Sequence, residues 1–128
     1  MGKVIEGLKY TEDHEWISLE ENIVTLGITD FAQSSLGDIV FVELPDEGTE
    51  LESGSSFGVV ESIKSVSDLY SPVNGVVIEK NTIIEDTPEN LNEDAYGSWL
   101  IKIKVEDTKQ IDNLMDSQAY TAQCEANS

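Results

Sequence analysis

The chain has 128 residues, with 26 Asp and Glu against seven Lys and no Arg, for a formal net charge of −19. Such a charge repels a phosphate backbone and so excludes nucleic-acid binding; no apolar run approaches the roughly 20 residues that a membrane span requires. The length predicts one domain over residues 1–128, large enough to bury roughly two-thirds of its unfolded surface.

Met1-Gly2 opens like a myristoylation signal, but that signal needs Ser or Thr at position 6 and Glu6 stands there. No basic segment followed by an apolar core opens the chain, so no signal peptide is expected. A single cysteine, Cys124, has no partner for an internal disulfide and points to a reducing compartment, with no role of its own expected.

In chain order, His14–Leu19 alternates apolar and polar residues as a strand does. Glu20-Glu21-Asn22 turns it into a second strand, Ile23–Ile28. Thr29 is a good N-cap for a short helix, Asp30 places favourable charge in its first turn, and Gly37 is positioned to end it. Ile39–Leu44 reads as a buried strand stopped by the turn Pro45-Asp46-Glu47-Gly48.

The segment from Phe57 to Asn81 carries the strongest local signal. Two β-prone runs, Phe57–Ser62 and Val66–Tyr70, flank the tripeptide Ile63-Lys64-Ser65, which predicts a hairpin with Lys64 at its tip. Ser71-Pro72-Val73-Asn74-Gly75 then turns the chain into the strand Val76–Glu79. A lysine held out on a rigid hairpin suits covalent attachment of a long cofactor arm; an ordinary solvated turn lysine is the plain alternative.

Further on, Asn90–Asp94 offers oxygen ligands without the spacing of a calcium loop, and reads as a solvated acidic loop. Trp99–Val105 sets Trp99, Ile101, Ile103 and Val105 on one face of a strand, with Leu100, Lys102 and Lys104 on the other. Asp107 or Thr108 can cap a closing helical segment at about 107–123, whose apolar positions are Ile111, Leu114, Met115 and Ala119. Many short strands with regular turns predict a mainly β sandwich or flattened barrel with short helices.

Catalytic chemistry is sparse. His14 is the only histidine and has no neighbouring His or Cys, which argues against zinc. There is no glycine-rich phosphate loop, and no Ser or Cys nucleophile has a histidine partner except through His14. The chain reads as a substrate of other enzymes rather than an enzyme, and its acidic field suits encounters with basic patches on partners.

The run Glu61-Ser62-Ile63-Lys64-Ser65-Val66-Ser67-Asp68-Leu69-Tyr70-Ser71-Pro72 resembles the lipoyl-attachment signature of the glycine cleavage system H protein family. Gly7–Trp16, Gly27–Ala32, Gly37–Pro45, Asn92–Lys104 and the tail around Leu114-Met115-Asp116 are similar to that family's other segments, in its order. The resemblance implies a hybrid barrel-sandwich of the lipoyl and biotinyl carrier type, with an attachment hairpin at about 57–81 and an added C-terminal helix. It implies one lipoic acid bound covalently at Lys64, no metal, and a monomer without catalytic residues.

The implied role is a shuttle. Glycine decarboxylase loads an aminomethyl group on the arm, the aminomethyltransferase passes its carbon to tetrahydrofolate, and dihydrolipoyl dehydrogenase reoxidises the dithiol. A lipoate ligase or lipoyltransferase attaches the arm. In this family the loaded arm can fold back into a cleft, for which the matching positions are Asp13, His14, Glu15, Ser65 and Asp68; ionised carboxylates suit a cationic amine.

A biotin acceptor usually has Met on both sides of its lysine, and the lipoyl domain of a 2-oxo acid dehydrogenase usually has Asp before it and Ala after it. Here the neighbours are Ile63 and Ser65. Two other roles stay open: an H-like lipoyl donor in lipoate transfer to other complexes, and an unmodified acidic interaction scaffold. The family occurs in bacterial cytoplasm and the mitochondrial matrix, and a Met directly before the domain favours the bacterial case.

Overall fold

The computed structural model describes residues 4–126, so the Met1-Gly2 motif lies outside the described residues. Within them, nine strands form two antiparallel sheets, neither closed on itself. The larger sheet, in spatial order, holds β1 (Lys9–Tyr10), β2 (Glu15–Glu20), β3 (Ile23–Ile28), β9 (Ile101–Lys104), β8 (Gly75–Lys80) and β5 (Glu50–Leu51). The smaller holds β4 (Ile39–Glu43), β6 (Ser56–Ser62) and β7 (Val66–Tyr70). Five short helices complete the described residues: α1 (Asp30–Leu36), α2 (Thr82–Asp86), α3 (Asn90–Glu93), α4 (Lys109–Asp112) and α5 (Ser117–Ala126).

Register explains the core. Ile17, Leu26 and Ile101 lie directly opposite one another on β2, β3 and β9, as do Val24, Ile103 and Val77 on β3, β9 and β8. All six are buried, since residues two apart share a face. From the smaller sheet, Val42 and the cross-strand Val60 turn inward to meet them. Gly58 lets two strands approach: a Cβ there would collide with the backbone oxygen of Glu43 on β4.

The helix predicted after Thr29 forms as expected. The Thr29 hydroxyl accepts from Ala32 N (3.2 Å), and Gly37, at a φ of 82° that favours glycine, closes the helix by donating to Gln33 O (3.0 Å).

Four expectations need correction. The closing segment is two helices, because Met115 pairs its backbone with Tyr10 (Tyr10 N to Met115 O 2.8 Å, Met115 N to Tyr10 O 3.0 Å) and so leaves the helical ladder. Asp107 caps α4 by accepting from Lys109 N, and Asp116 restarts the chain as α5 by accepting from Ala119 N, both at 2.9 Å. The restart shifts the helical phase, so Tyr120 and Cys124 are buried while Ala119 is exposed. Leu100, assigned to the polar side of its strand, is fully buried; it precedes β9, where its N–H donates to Leu26 O and its carbonyl accepts from Asn81 N. Finally, the acidic loop at 90–94 is largely the one-turn helix α3. It buries Leu91, while Asn92 accepts from Ile39 N (2.8 Å) and donates to Gly37 O (2.8 Å) and Gln33 Oε1 (2.9 Å).

A second apolar cluster fastens the C-terminal end. Tyr10 stacks on Tyr120 with ring centroids 4.5 Å apart, and Trp16 and Cys124 join them in a buried group. The cysteine is a packed core residue.

Candidate functional site

The β6–β7 hairpin forms as its sequence predicts. Glu61 pairs with Val66, and the tip Ile63-Lys64-Ser65 is closed by Ser62 N donating to Ser65 O (2.8 Å). The Ser62 hydroxyl accepts from Ser65 N (3.1 Å) and Lys64 N (3.3 Å), so the turn is braced from within. A third tie reaches outside the hairpin, where Ile63 N donates to Asp38 O (3.0 Å) just after α1. Since Asn92 holds Gly37 and Ile39, the whole base of the tip is hydrogen-bonded to the body of the fold.

Lys64 stands exposed on this platform, and its stem passes Gly37 so closely that a Cβ there would sit 3.4 Å from Lys64 Cε. Among the described residues, the ion pairs within 4.0 Å are those of Lys80 with Asp46 and Glu85, and the Lys64 ammonium makes none. A rigid tip bearing an unengaged amine is what attachment of an arm requires.

At the other end of β7 lies a cavity of about 320 Å³, lined among others by Thr11, Asp13, Glu15, Tyr70, Asn113 and Leu114. Glu15 is its chemical centre and is 2 % exposed. Its Oε2 accepts from Tyr70 N (2.9 Å) and its Oε1 from the Thr11 hydroxyl (3.3 Å). Thr11 Oγ1 in turn accepts from Asp13 N and Glu15 N, both at 3.2 Å, so its own proton is directed at the carboxyl. Burial pushes the Glu15 pKa up to about 8; the Tyr70 N–H and Thr11 hydroxyl pull it down, and nearby Asp13 pushes it further up. Left alone, the group is mostly protonated at neutral pH. It is buried in the fold, not the ionised carboxylate that the cleft expectation assumed.

The five positions expected to line a cleft therefore separate. Asp13 and Glu15 share the cavity wall. Asp68 is exposed on β7 near Tyr70, whose hydroxyl lies 3.5 Å from Asp68 Oδ2. Ser65 belongs to the tip, five residues before the cavity begins at Tyr70, or roughly 17 Å of strand. His14 does not line the cavity. At a φ of 66° its ring turns the other way, stacking on Phe31 (centroids 4.6 Å apart) and meeting the Tyr120 hydroxyl through Nδ1 (2.8 Å); burial lowers its pKa.

Sequence reasoning missed Thr11, Ser62 and Tyr70. Ser62 lay inside the quoted signature and was open to being read as a turn brace. Tyr70 acts through its backbone N–H, for which a sequence carries no signal.

Among the described residues no helix is long and apolar enough to cross a membrane, and no group of His, Cys, Asp and Glu gathers as metal ligands. The sequence model of the glycine cleavage H-protein family matches residues 8–127. A glycine cleavage system H protein of Symbiobacterium thermophilum is 52 % identical over 123 residues, covering 95 % of this chain and 96 % of that protein. A probable glycine cleavage system H protein of Haloarcula marismortui is 51 % identical over 123 residues, covering 95 % and 97 %.

Among solved structures, a glycine cleavage system H protein from Mycobacterium marinum, a barrel-sandwich fold, superposes with a TM-score of 0.87 at 37 % identity, covering 94 % of this chain and 98 % of its own. Sequence and fold agree over almost the entire length, and the chain belongs to the glycine cleavage H-protein family, the lipoyl-carrying shuttles of the glycine cleavage system.

Proposed function

We propose that this chain carries one lipoyl group, bound as an amide on Lys64, and serves as the non-catalytic aminomethyl shuttle between glycine decarboxylase and the aminomethyltransferase, with dihydrolipoyl dehydrogenase as third partner. The observation that carries this reading is the exposed, unpaired Lys64 amine on a tip braced by Ser62 and Asp38. When bound, the lipoyl group supplies the redox-active dithiol and the sulfur that holds the one-carbon unit.

The chain's own residues do the rest. The hairpin presents the arm at high effective concentration to successive active sites. Lys64 loses its charge on acylation, which deepens the acidic field that steers partners. The route from Lys64 to the cavity runs along β7, past Asp68, to Asp13 and Glu15. Glu15 is neutral while nothing cationic lies against it; an ammonium beside it favours its ionised form, which the Tyr70 N–H and Thr11 hydroxyl are already aimed to hold. His14 and Ser65 contribute indirectly, His14 by fixing α5 and Ser65 by shaping the tip. A cytoplasmic monomer fits the single free cysteine and the mutual repulsion of chains at −19.

The test is intact-mass measurement after incubation with lipoate ligase, lipoate and ATP, followed by glycine-dependent CO2 release with the three partner enzymes. One lipoyl increment on the parent, none on Lys64→Arg, and CO2 release by the loaded parent are expected. A parent that takes no lipoyl group is an acidic scaffold, and one that is loaded but inactive with glycine is a lipoyl donor.

A further inference from the structure

Next to Lys64 the smaller sheet leaves one face uncovered. Phe41, Glu61 and Val66 lie directly opposite one another on β4, β6 and β7, and Glu43, Val59 and Asp68 do so two residues along. The row between them, Val42, Val60 and Ser67, faces the other way, where both valines are buried. The outer face therefore carries Phe41 (43 % exposed) and Val66 (65 %), extended by Ile63 at the tip (72 %) and by Val40 (56 %), which falls in the bulge between Ile39 and Phe41. Each of these apolar side chains is in water. Glu43, Glu61 and Asp68 interleave with them.

We propose that this face is the docking surface for the enzyme that acylates Lys64, which would meet it with an apolar centre bordered by basic side chains. The inference rests on Lys64 being the attachment site. In the step served, the Lys64 ammonium first gives up one proton; the neutral nitrogen then attacks the carboxyl carbon of a lipoyl-adenylate, the amide N–C bond forms, the C–O bond to AMP breaks, and a second proton passes to solvent. To reach the amine, the enzyme must close over the tip, where Ile63 directly precedes Lys64 and Val66 follows two residues on. Enzymes that act on the far end of an attached arm need not cover the tip. A second copy of the chain is disfavoured because both faces would bring the same carboxylates and a net charge of −19 together. The apolar row supplies affinity by leaving water, and the carboxylates set the encounter rate with a basic rim.

The experiment measures the rate of lipoyl mass addition by an ATP-dependent lipoate ligase on the full chain, for Phe41→Thr, Val66→Thr, Glu61→Gln and the control Val76→Thr on the larger sheet. Threonine has a β-branched shape that strands favour, and equal urea midpoints will confirm that each variant is folded. Phe41→Thr and Val66→Thr should each lower kcat/KM at least about five-fold through KM. Glu61→Gln should flatten the dependence of kcat/KM on salt, and Val76→Thr should match the parent.

If the parent is acylated at Lys64 and both threonine variants keep its kcat/KM, the docking surface is refuted while the carrier reading stands. A parent that self-associates through this face, with Phe41→Thr monomeric, also overturns it. A parent that is never acylated sinks both readings.

Discussion

Replacing Glu15 by glutamine should change how stability depends on pH. In the folded chain burial raises the Glu15 pKa to about 8, against an ordinary value of 4.5. Between those values the folded protein holds a proton that the unfolded chain has released. Stability therefore falls as pH rises: the contribution of the neutral, buried carboxyl is complete below about pH 4.5 and is lost as pH passes about 8. The slope approaches about 1.4 kcal/mol per pH unit in mid-window, and a few kcal/mol accumulate across it.

Glutamine cannot titrate, so the variant lacks this slope. Its amide oxygen can still accept from Tyr70 N. Its NH2 faces Thr11 Oγ1, which already accepts two backbone N–H groups, so a pH-independent penalty of about 1 kcal/mol is expected. Urea unfolding of both proteins at several values between about pH 5 and pH 9 gives the difference directly, and slopes from the other carboxylates cancel in it. Glu15→Gln should be less stable than the parent at the acid end and more stable at the alkaline end. Two parallel curves would show that the carboxyl is already ionised in the fold and refute the argument.

Tyr120→Phe deletes the hydroxyl that meets Thr29 Oγ1 (2.6 Å) and His14 Nδ1 (2.8 Å), and should cost about 1–3 kcal/mol in chemical denaturation, with lipoylation unaffected. Exchanging residues 63 and 64, so that lysine precedes isoleucine, should leave the fold intact but sharply reduce lipoyl mass addition, because one step along the chain changes the direction of the side chain. Glu15→Ala should be lipoylated normally yet release formaldehyde and ammonia faster once aminomethylated, through loss of a charge-assisted bond worth roughly 1.5–3 kcal/mol. An adduct as long-lived as the parent's would remove Glu15 from arm docking.

The β6–β7 hairpin and the α1 helix were legible because their determinants are local. Paired β runs around a three-residue break set the tip, and Thr29 and Gly37, which bound the helix, lie within hydrogen-bonding range of the backbone they cap. Charge and the single cysteine likewise follow from composition. Residue order alone was thus enough to read Lys64 as a candidate site.

The state of Glu15 was a tertiary outcome. The resemblance marked Glu15 as a cleft position, but its burial and its bond partner arise only when the fold brings the backbone N–H of Tyr70, 55 residues away, to donate to it. The same holds for His14, which a left-handed turn directs into the aromatic cluster, and for the helix break at Met115, which exists only because Tyr10 is there to pair with it. Each depends on a backbone group or an apolar surface supplied from a distant part of the chain. A sequence specifies such partners only through the completed fold, since main-chain donors are the same at every non-proline residue and their availability is set by packing.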